Sequence, residues 1–309
     1  MIIVNWNAGN QLRECLASIV HAKHEELDLQ HVIVVDNAST DSSIQALDGL
    51  SLPVLIVANK TNHGFGAACN QGVGIGKSEF ILFLNPDTRL NSDSIVAPLR
   101  VLSSPASETI GIMGVQLVGL AGCVMRSCSR FPTTMDFLSP IFGLNRVFPS
   151  VFRGHMMVEW AHNDSRTVDH VIGAFYLVRR SLFERLGGFD ERFFVYLEDL
   201  DFSLRAKKVG FECYYCSEAR AYHKGGGASE QTKAKRLFYS LESRVRYAFK
   251  NFSLPSALAV YVCTLLFEPL TRIFLSLCQR SARTAIDTLK AYGMLWARFP
   301  LHREARGLE

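Results

Sequence analysis

Short apolar runs that each end on polar residues constrain this chain more than any other feature. Ile2-Ile3-Val4 runs into Asn5-Trp6-Asn7, His31–Val35 into Asp36-Asn37, and Phe80–Leu84 into Asn85-Pro86-Asp87. Pro53–Ala58 is a further run of the same kind. Between the first two, Leu12, Leu16, Ile19 and Val20 fall at helical spacing. Strands that alternate with helices predict an α/β fold with a mostly parallel sheet covered on both faces. Ligands of such sheets sit beyond the carboxyl ends of the strands, where these polar residues lie.

Composition sets the scale. The chain has 309 residues, 48% hydrophobic and 20% charged, which excludes a disordered polymer. The length suits two units. The net charge of +4 makes no case for a nucleic-acid partner, but it is unevenly spread. Residues 230–309 hold 13 Lys/Arg and 6 Asp/Glu, while residues 1–229 hold 20 and 23. An acidic body is therefore followed by a basic tail, with the boundary expected between 1–230 and 231–309. Met1 leads straight into Ile2 with no basic leader or cleavage site, so a cytoplasmic location is the expectation.

The tail is apolar as well as basic. Leu237, Leu241, Val245, Ala248 and Phe252 share one helix face. Residues 252–267 carry no charge, and Glu268, Pro269 and Arg272 interrupt before Ile273–Cys278. That falls short of the ~20 residues of a full crossing. An in-plane helix or re-entrant hairpin on an anionic membrane fits, against the alternative of a buried helical hairpin in a soluble dimer.

Each strand end offers chemistry and a plainer reading. Asp36 can accept hydrogen bonds from a base or ribose, or make an Asx-turn; Ser39-Thr40-Asp41 can supply a cap and leave it free. Asn62-His63-Gly64-Phe65-Gly66 precedes a helix pattern containing Asn70, which suits close approach to phosphate or an ordinary turn. In Asn85-Pro86-Asp87 the proline stops a central strand, so Asp87 projects from its end as a candidate Mg²⁺ or Mn²⁺ ligand, or as a turn residue. Glu198, Asp199 and Asp201 crowd three carboxylates together. On a helix, Glu198, Asp201 and Arg205 share a face, leaving Asp199 unpaired and available as a base. His223 precedes Lys224-Gly225-Gly226-Gly227 and is a candidate ligand or a surface histidine.

Two regions read differently. Residues 116–170, with Pro132, Pro140 and Pro149, read as a long irregular connection, a flap over a site. Cys213 and Cys216 form C-x-x-C, with Cys123 and Cys128 upstream, but the spacing on a strand puts Cys213 and Cys216 on opposite faces. Buried free thiols are expected rather than zinc.

Taken in order, the stretches 2–7, 32–43, 62–72, 80–88, 173–210 and 223–229 resemble family 2 glycosyltransferases of the GT-A fold, the inverting nucleotide-sugar enzymes. The chain is most similar to the rhamnosyltransferase-like branch of bacterial cell-surface polysaccharide assembly. The resemblance implies that Trp6 stacks on the nucleobase, that Asp36 bonds its imide, and that Asn62 and Asn70 lie beside the nucleoside. Asn85-Pro86-Asp87 takes the DxD position with Asn in place of the first acid, so Asp87 is the full carboxylate ligand to Mg²⁺ or Mn²⁺. His223 completes the metal site. Glu198-Asp199 matches the "ED" pair, with Asp199 as general base. A nucleotide-sugar donor (dTDP-rhamnose or a UDP-sugar) and a glycan or polyprenyl-linked acceptor follow, as does peripheral association with the inner face of the cell membrane. The alternatives are a UDP-hexose or UDP-galactofuranose donor, or an inactive membrane-associated scaffold that keeps the fold. A nucleotidyltransferase is disfavoured, because its Gly-rich, basic N-terminal loop is missing.

Overall fold

A computed structural model describes residues 1–22, 27–45, 52–119, 122–225 and 233–299. The chain divides into two units. The first comprises Met1–Phe131, Met156–Phe194 and Glu198–Ala228; the second comprises Pro132–His155, Val195–Leu197 and Ser229–Glu309.

The first unit is built on strands β1 (Ile2–Asn5), β2 (Val32–Asp36), β3 (Val54–Ala58), β4 (Phe80–Leu84), β5 (Thr88–Leu90), β6 (Ile110–Val118), β7 (Cys128–Ser129), β8 (Arg166–Val168), β9 (His170–Val171), β10 (Phe175–Arg179) and β11 (Glu212–His223). The main sheet runs β3-β2-β1-β4-β10-β6-β11-β5, with β8 also on β11. β3, β2, β1 and β4 pair in parallel, as do β6 and β11; β10, β5 and β8 run against their neighbours.

Both faces are covered, as the apolar runs demand. Along β1, β2 and β4, alternate residues enter opposite cores. Ile3, Val32, Val34, Leu82 and Leu84 pack on one side with Leu12, Cys15, Leu16 and Ile19 of helix α1 (Asn10–His21). Ile2, Val4, Ile33, Val35, Ile81 and Phe83 pack on the other with Ala68, Cys69 and Val73 of α2 (Phe65–Val73). Each such side chain contributes about 1.5–3 kcal/mol on burial. β3 is the exception: Leu55 and Ile56 stay exposed at the sheet edge.

The segment 116–170 is more ordered than its prolines suggest. β6 carries it as far as Val118, and β7 pairs with β9 in a small ribbon. Pro132 and the Thr133–Asp136 capping box then start a short helix, α4 (Thr134–Leu138), which follows α3 (Val96–Leu102) in the chain and is followed by α5 (Leu144–Val147). The strand that carries Cys213 and Cys216 continues to His223 across an irregularity between Cys216 and Arg220. Cys213 and Cys216 do enter opposite cores, and all eight cysteines are free.

Beyond α6 (Arg180–Arg185) and α7 (Glu198–Lys208), the second unit holds α8 (Lys233–Asn251), α9 (Leu254–Val262), α10 (Glu268–Cys278) and α11 (Ala282–Arg298). The expected α8 face is realised, with Leu241, Val245 and Ala248 buried. Pro269 does not break the tail as expected, because residues 263–267 form a π turn that widens the helix just before it. Leu254–Cys278 is therefore one 25-residue helix. The indole of Trp296 donates to the Leu265 carbonyl within that turn at 3.1 Å.

Candidate functional site

The polar residues at the strand ends form a connected network. Asn5, at the end of β1, is fully buried, and its amide donates to Asp36 Oδ1 (2.7 Å), Ser39 Oγ (3.0 Å) and Ser43 Oγ (2.8 Å). Asp36 is not left free: its Oδ2 accepts from the Ser39 amide at 3.2 Å. Asp41 instead holds Gly9 at the start of α1 (2.8 Å) and Ser43. Asn7 adopts a positive φ of 51°, from which its side chain accepts from Thr40 N at 2.7 Å. Trp6 follows β1 and remains half-buried.

The glycine segment is fixed by close approach. Asn62 caps Gly64 N at 2.9 Å, and Phe65 N donates to Phe194 O at 2.7 Å. Gly64 sits at φ 89°, and a Cβ there would fall 2.3 Å from Phe194 O. Asn70 is fully spent on the loop after α6. Its amide donates to Phe189 O and Glu191 Oε1, and its oxygen accepts from Phe189 N, each at 2.9 Å. The side chain expected beside a nucleoside is thus a clamp on the Gly188-Phe189 backbone.

Asp87 and His223 are brought together by strand pairing. β5 lies antiparallel to the end of β11, with Thr88 opposite His223. His223 Nε2 stands 3.3 Å from Asp87 Oδ1, and both side chains are about nine-tenths buried. The residues fit a divalent cation. One carboxylate and one imidazole offer a mixed oxygen and nitrogen set, with room for phosphate and water oxygens. Nδ1 of His223 is buried without a partner among the described residues. No cluster of three or more His, Cys, Asp or Glu occurs among those residues, so protein ligands alone do not close a cage. Asn85 is held through its backbone, donating to Ala174 O (3.1 Å) and accepting from Thr88 N (3.1 Å). Gly226 and Gly227, beyond His223, lie outside the described residues.

The carboxylate cluster opens α7, directly after two residues with positive φ, Tyr196 (73°) and Leu197 (66°). Non-glycine residues rarely take this conformation, and consecutive ones mark stored strain. Arg205 pairs with Asp201 at 2.8 Å and also bonds the carbonyls of Leu186 and Gly188, each at 2.8 Å. Glu198 is 4% exposed, and its Oε2 has no partner among the described residues. Burial, then the neighbouring Asp199, pushes its carboxyl well above the usual range. Asp199 is not unpaired. Its Oδ2 accepts from Gly173 N at 2.7 Å and lies 3.7 Å from His170 Nε2, and its Oδ1 accepts from Leu200 N at 2.8 Å. Sequence reading missed His170, since nothing in spacing distinguishes a lone histidine three residues before Gly173.

Gly173 and Ala174 lead into β10 and join the two halves of the site. The first holds Asp199; the second holds Asn85 and, through its carbonyl, Thr88 Oγ1 at 3.2 Å. A cavity also lies at the opposite, amino ends of the strands, lined by Met1, His31, Glu79 and Arg180, but none of the expected residues reaches it.

Known proteins resemble this chain in sequence and in fold. The family described as glycosyl transferase family 2 matches residues 1–107, and glycosyl transferase family group 2 matches residues 80–299. The N-acetylglucosaminyl-diphospho-decaprenol L-rhamnosyltransferase of Mycobacterium tuberculosis (strain H37Rv) is 27% identical over 253 residues, 77% of this chain and 79% of that protein. Rhamnosyltransferase WbbL of Escherichia coli (strain K12) is 29% identical over 195 residues, 60% and 70% respectively. Among solved structures, mannosyltransferase PcManGT from Pyrobaculum calidifontis, in complex with GDP-Man and Mn²⁺, superposes with a TM-score of 0.54 at 18% identity, covering 97% of this chain and 80% of its own.

Proposed function

Since the chain belongs to glycosyl transferase family 2 and is a glycosyltransferase of GT-A fold, we propose that it transfers rhamnose, with inversion, from a nucleoside diphosphate to a hydroxyl of a cell-surface glycan or polyprenyl-linked acceptor. The acceptor oxygen attacks the anomeric carbon, and the bond from that carbon to the diphosphate oxygen breaks. Asp199 takes the hydroxyl proton. Asp87 and His223 would hold a Mg²⁺ or Mn²⁺ ion, whose charge offsets that developing on the leaving diphosphate. Trp6 and Asp36 form the nucleobase end, and Asn62 shapes the loop that approaches the diphosphate.

The observation that carries this reading is the Gly173-Ala174 dipeptide, which holds Asp199 on one side and the Asn85–Thr88 turn on the other. A base and a leaving-group site fixed to adjacent residues suit a single displacement, which needs no enzymic nucleophile. The rhamnosyltransferase names of two relatives favour rhamnose over a UDP-hexose or UDP-galactofuranose donor. The test is a panel of nucleotide sugars with Mn²⁺, read by thermal shift and by transfer. Asp199→Asn should still be stabilised by the donor and should transfer nothing. Turnover near wild type in that variant would refute the assignment.

The second unit suits attachment to the cytoplasmic face of a membrane. Leu254, Leu258, Val262, Leu266, Leu270, Phe274 and Leu277 form an exposed stripe along the helix 254–278. The opposite face carries Glu268, buried and paired with Arg244 at 2.6 Å and Arg272 at 2.7 Å. One apolar face and one face committed to ion pairs favour a helix lying in the membrane plane over one that crosses.

A further inference from the structure

We propose that His170 is a positioning residue for the base: it holds the Asp199 carboxylate oriented, and Ser203 and Tyr176 set the tautomer in which it does so. The inference rests on Asp199 being the base.

His170 is buried at the end of the β7–β9 ribbon, with Nε2 3.7 Å from Asp199 Oδ2 and Nδ1 3.0 Å from Ser203 Oγ. Ser203, on α7 one turn after Asp199, has its hydroxyl 2.8 Å from that of Tyr176, which projects from β10. The proton placement is part of the proposal, since either hydroxyl of the Tyr176–Ser203 pair can donate. Tyr176 has one proton and two acceptors within reach, Ser203 Oγ at 2.8 Å and the Asp199 carbonyl at 3.4 Å; the shorter contact wins. Ser203 then donates to His170 Nδ1, and the imidazole carries its proton on Nε2, facing the carboxylate. Burial keeps the Tyr176 hydroxyl protonated, so the first donor in the chain is permanent.

Together with the Gly173 amide, this places two N–H groups beside Oδ2 of Asp199. The carboxylate is thereby fixed about its χ torsions, and its charge is offset without being quenched by a full cation. Ser203 and Tyr176 both lie enclosed behind the base, where the tyrosine ring also packs on Phe189 and Phe202.

The full-length chain tests this with steady-state kinetics on the nucleotide sugar and acceptor. His170→Gln keeps an N–H where Nε2 stood and should retain kcat within about threefold. His170→Phe removes the ring nitrogen that faces the carboxylate at 3.7 Å and should lower kcat roughly 10-fold, with KM for the nucleotide sugar unchanged. Ser203→Ala should lower kcat in the same direction by a smaller factor. Wild-type kcat in His170→Phe, or equal losses in the Phe and Gln variants, overturns the proposal. Should His170→Phe fail to fold, Ser203→Ala decides: an unchanged kcat overturns it and a reduced kcat at constant KM supports it. Full activity in Asp199→Asn would instead remove the base itself, a failure distinct from failure of His170.

Discussion

His223 Nε2 lies 3.3 Å from Asp87 Oδ1, although the two are 136 positions apart in the chain. Pairing of β5 with the end of β11 sets this approach. If the pair holds the cation, Asp87→Ala should lower transfer at least about 100-fold, and His223→Ala should raise the Mn²⁺ concentration for half-maximal activity roughly 10-fold or more. Mn²⁺ binding followed by electron paramagnetic resonance gives an independent readout. Activity indifferent to EDTA would exclude this role.

Gly64 should be intolerant of any side chain. Alanine there meets both a left-handed backbone and the Phe194 carbonyl at 2.3 Å, which together cost about 2–5 kcal/mol. Gly74 is the control: its φ is −61° and the nearest atom to an added Cβ is 3.5 Å away. Gly74→Ala should be neutral or stabilising by up to about 1 kcal/mol. Urea unfolding of both variants measures the difference, and equal midpoints would refute the close-approach argument.

Glu198 makes stability depend on pH in a defined direction. Burial raises its carboxyl above the usual 4.5, so the folded chain binds that proton more tightly than the unfolded chain does. The stabilisation is complete below about pH 4.5 and is lost as pH climbs toward the raised folded value. Glu198→Gln removes the loss. Its advantage over wild type should grow from pH 5 to pH 8, by at most about 1.4 kcal/mol per pH unit. Parallel stability curves would show that Glu198 is charged in the folded state.

The stripe on the helix 254–278 predicts partition to lipid. Leu270→Ser, Phe274→Ser and Leu277→Ser combined remove three exposed apolar side chains, each contributing about 1.5–3 kcal/mol when buried. Co-sedimentation with anionic vesicles should drop by more than 100-fold on that scale, while hydrolysis of the free nucleotide sugar is retained. Undiminished sedimentation would move the contact elsewhere.

Local patterns carried the strands and helices, and ordered motifs carried the family. β4 matches its apolar run residue for residue, and α8 buries Leu241, Val245 and Ala248 of the face that their spacing marked. What stayed hidden depends on long-range pairing. Nothing local marks β10 as the strand inserted between β4 and β6 against their direction, because alternating apolar residues read alike in either orientation. The engagement of Asp36 by Asn5 and of Asn70 by Phe189 is equally invisible, since each amide chooses its partner only after the sheet has formed. Pro269 misled because a helix break and a π turn share the same local signal.

If Asp199 is the base and the Asn85–Thr88 turn the leaving-group side, Gly173 and Ala174 act as a common datum for the reaction. Two working groups referenced to one rigid point keep their spacing when that point shifts, whereas groups mounted on separate loops accumulate independent errors. Substitutions that slide β10 along its neighbours should therefore displace the base and the Asn85–Thr88 turn together. Such changes would alter where an acceptor docks before they altered how the bond is broken, which makes this strand a route by which acceptor choice can diverge while the displacement itself is kept.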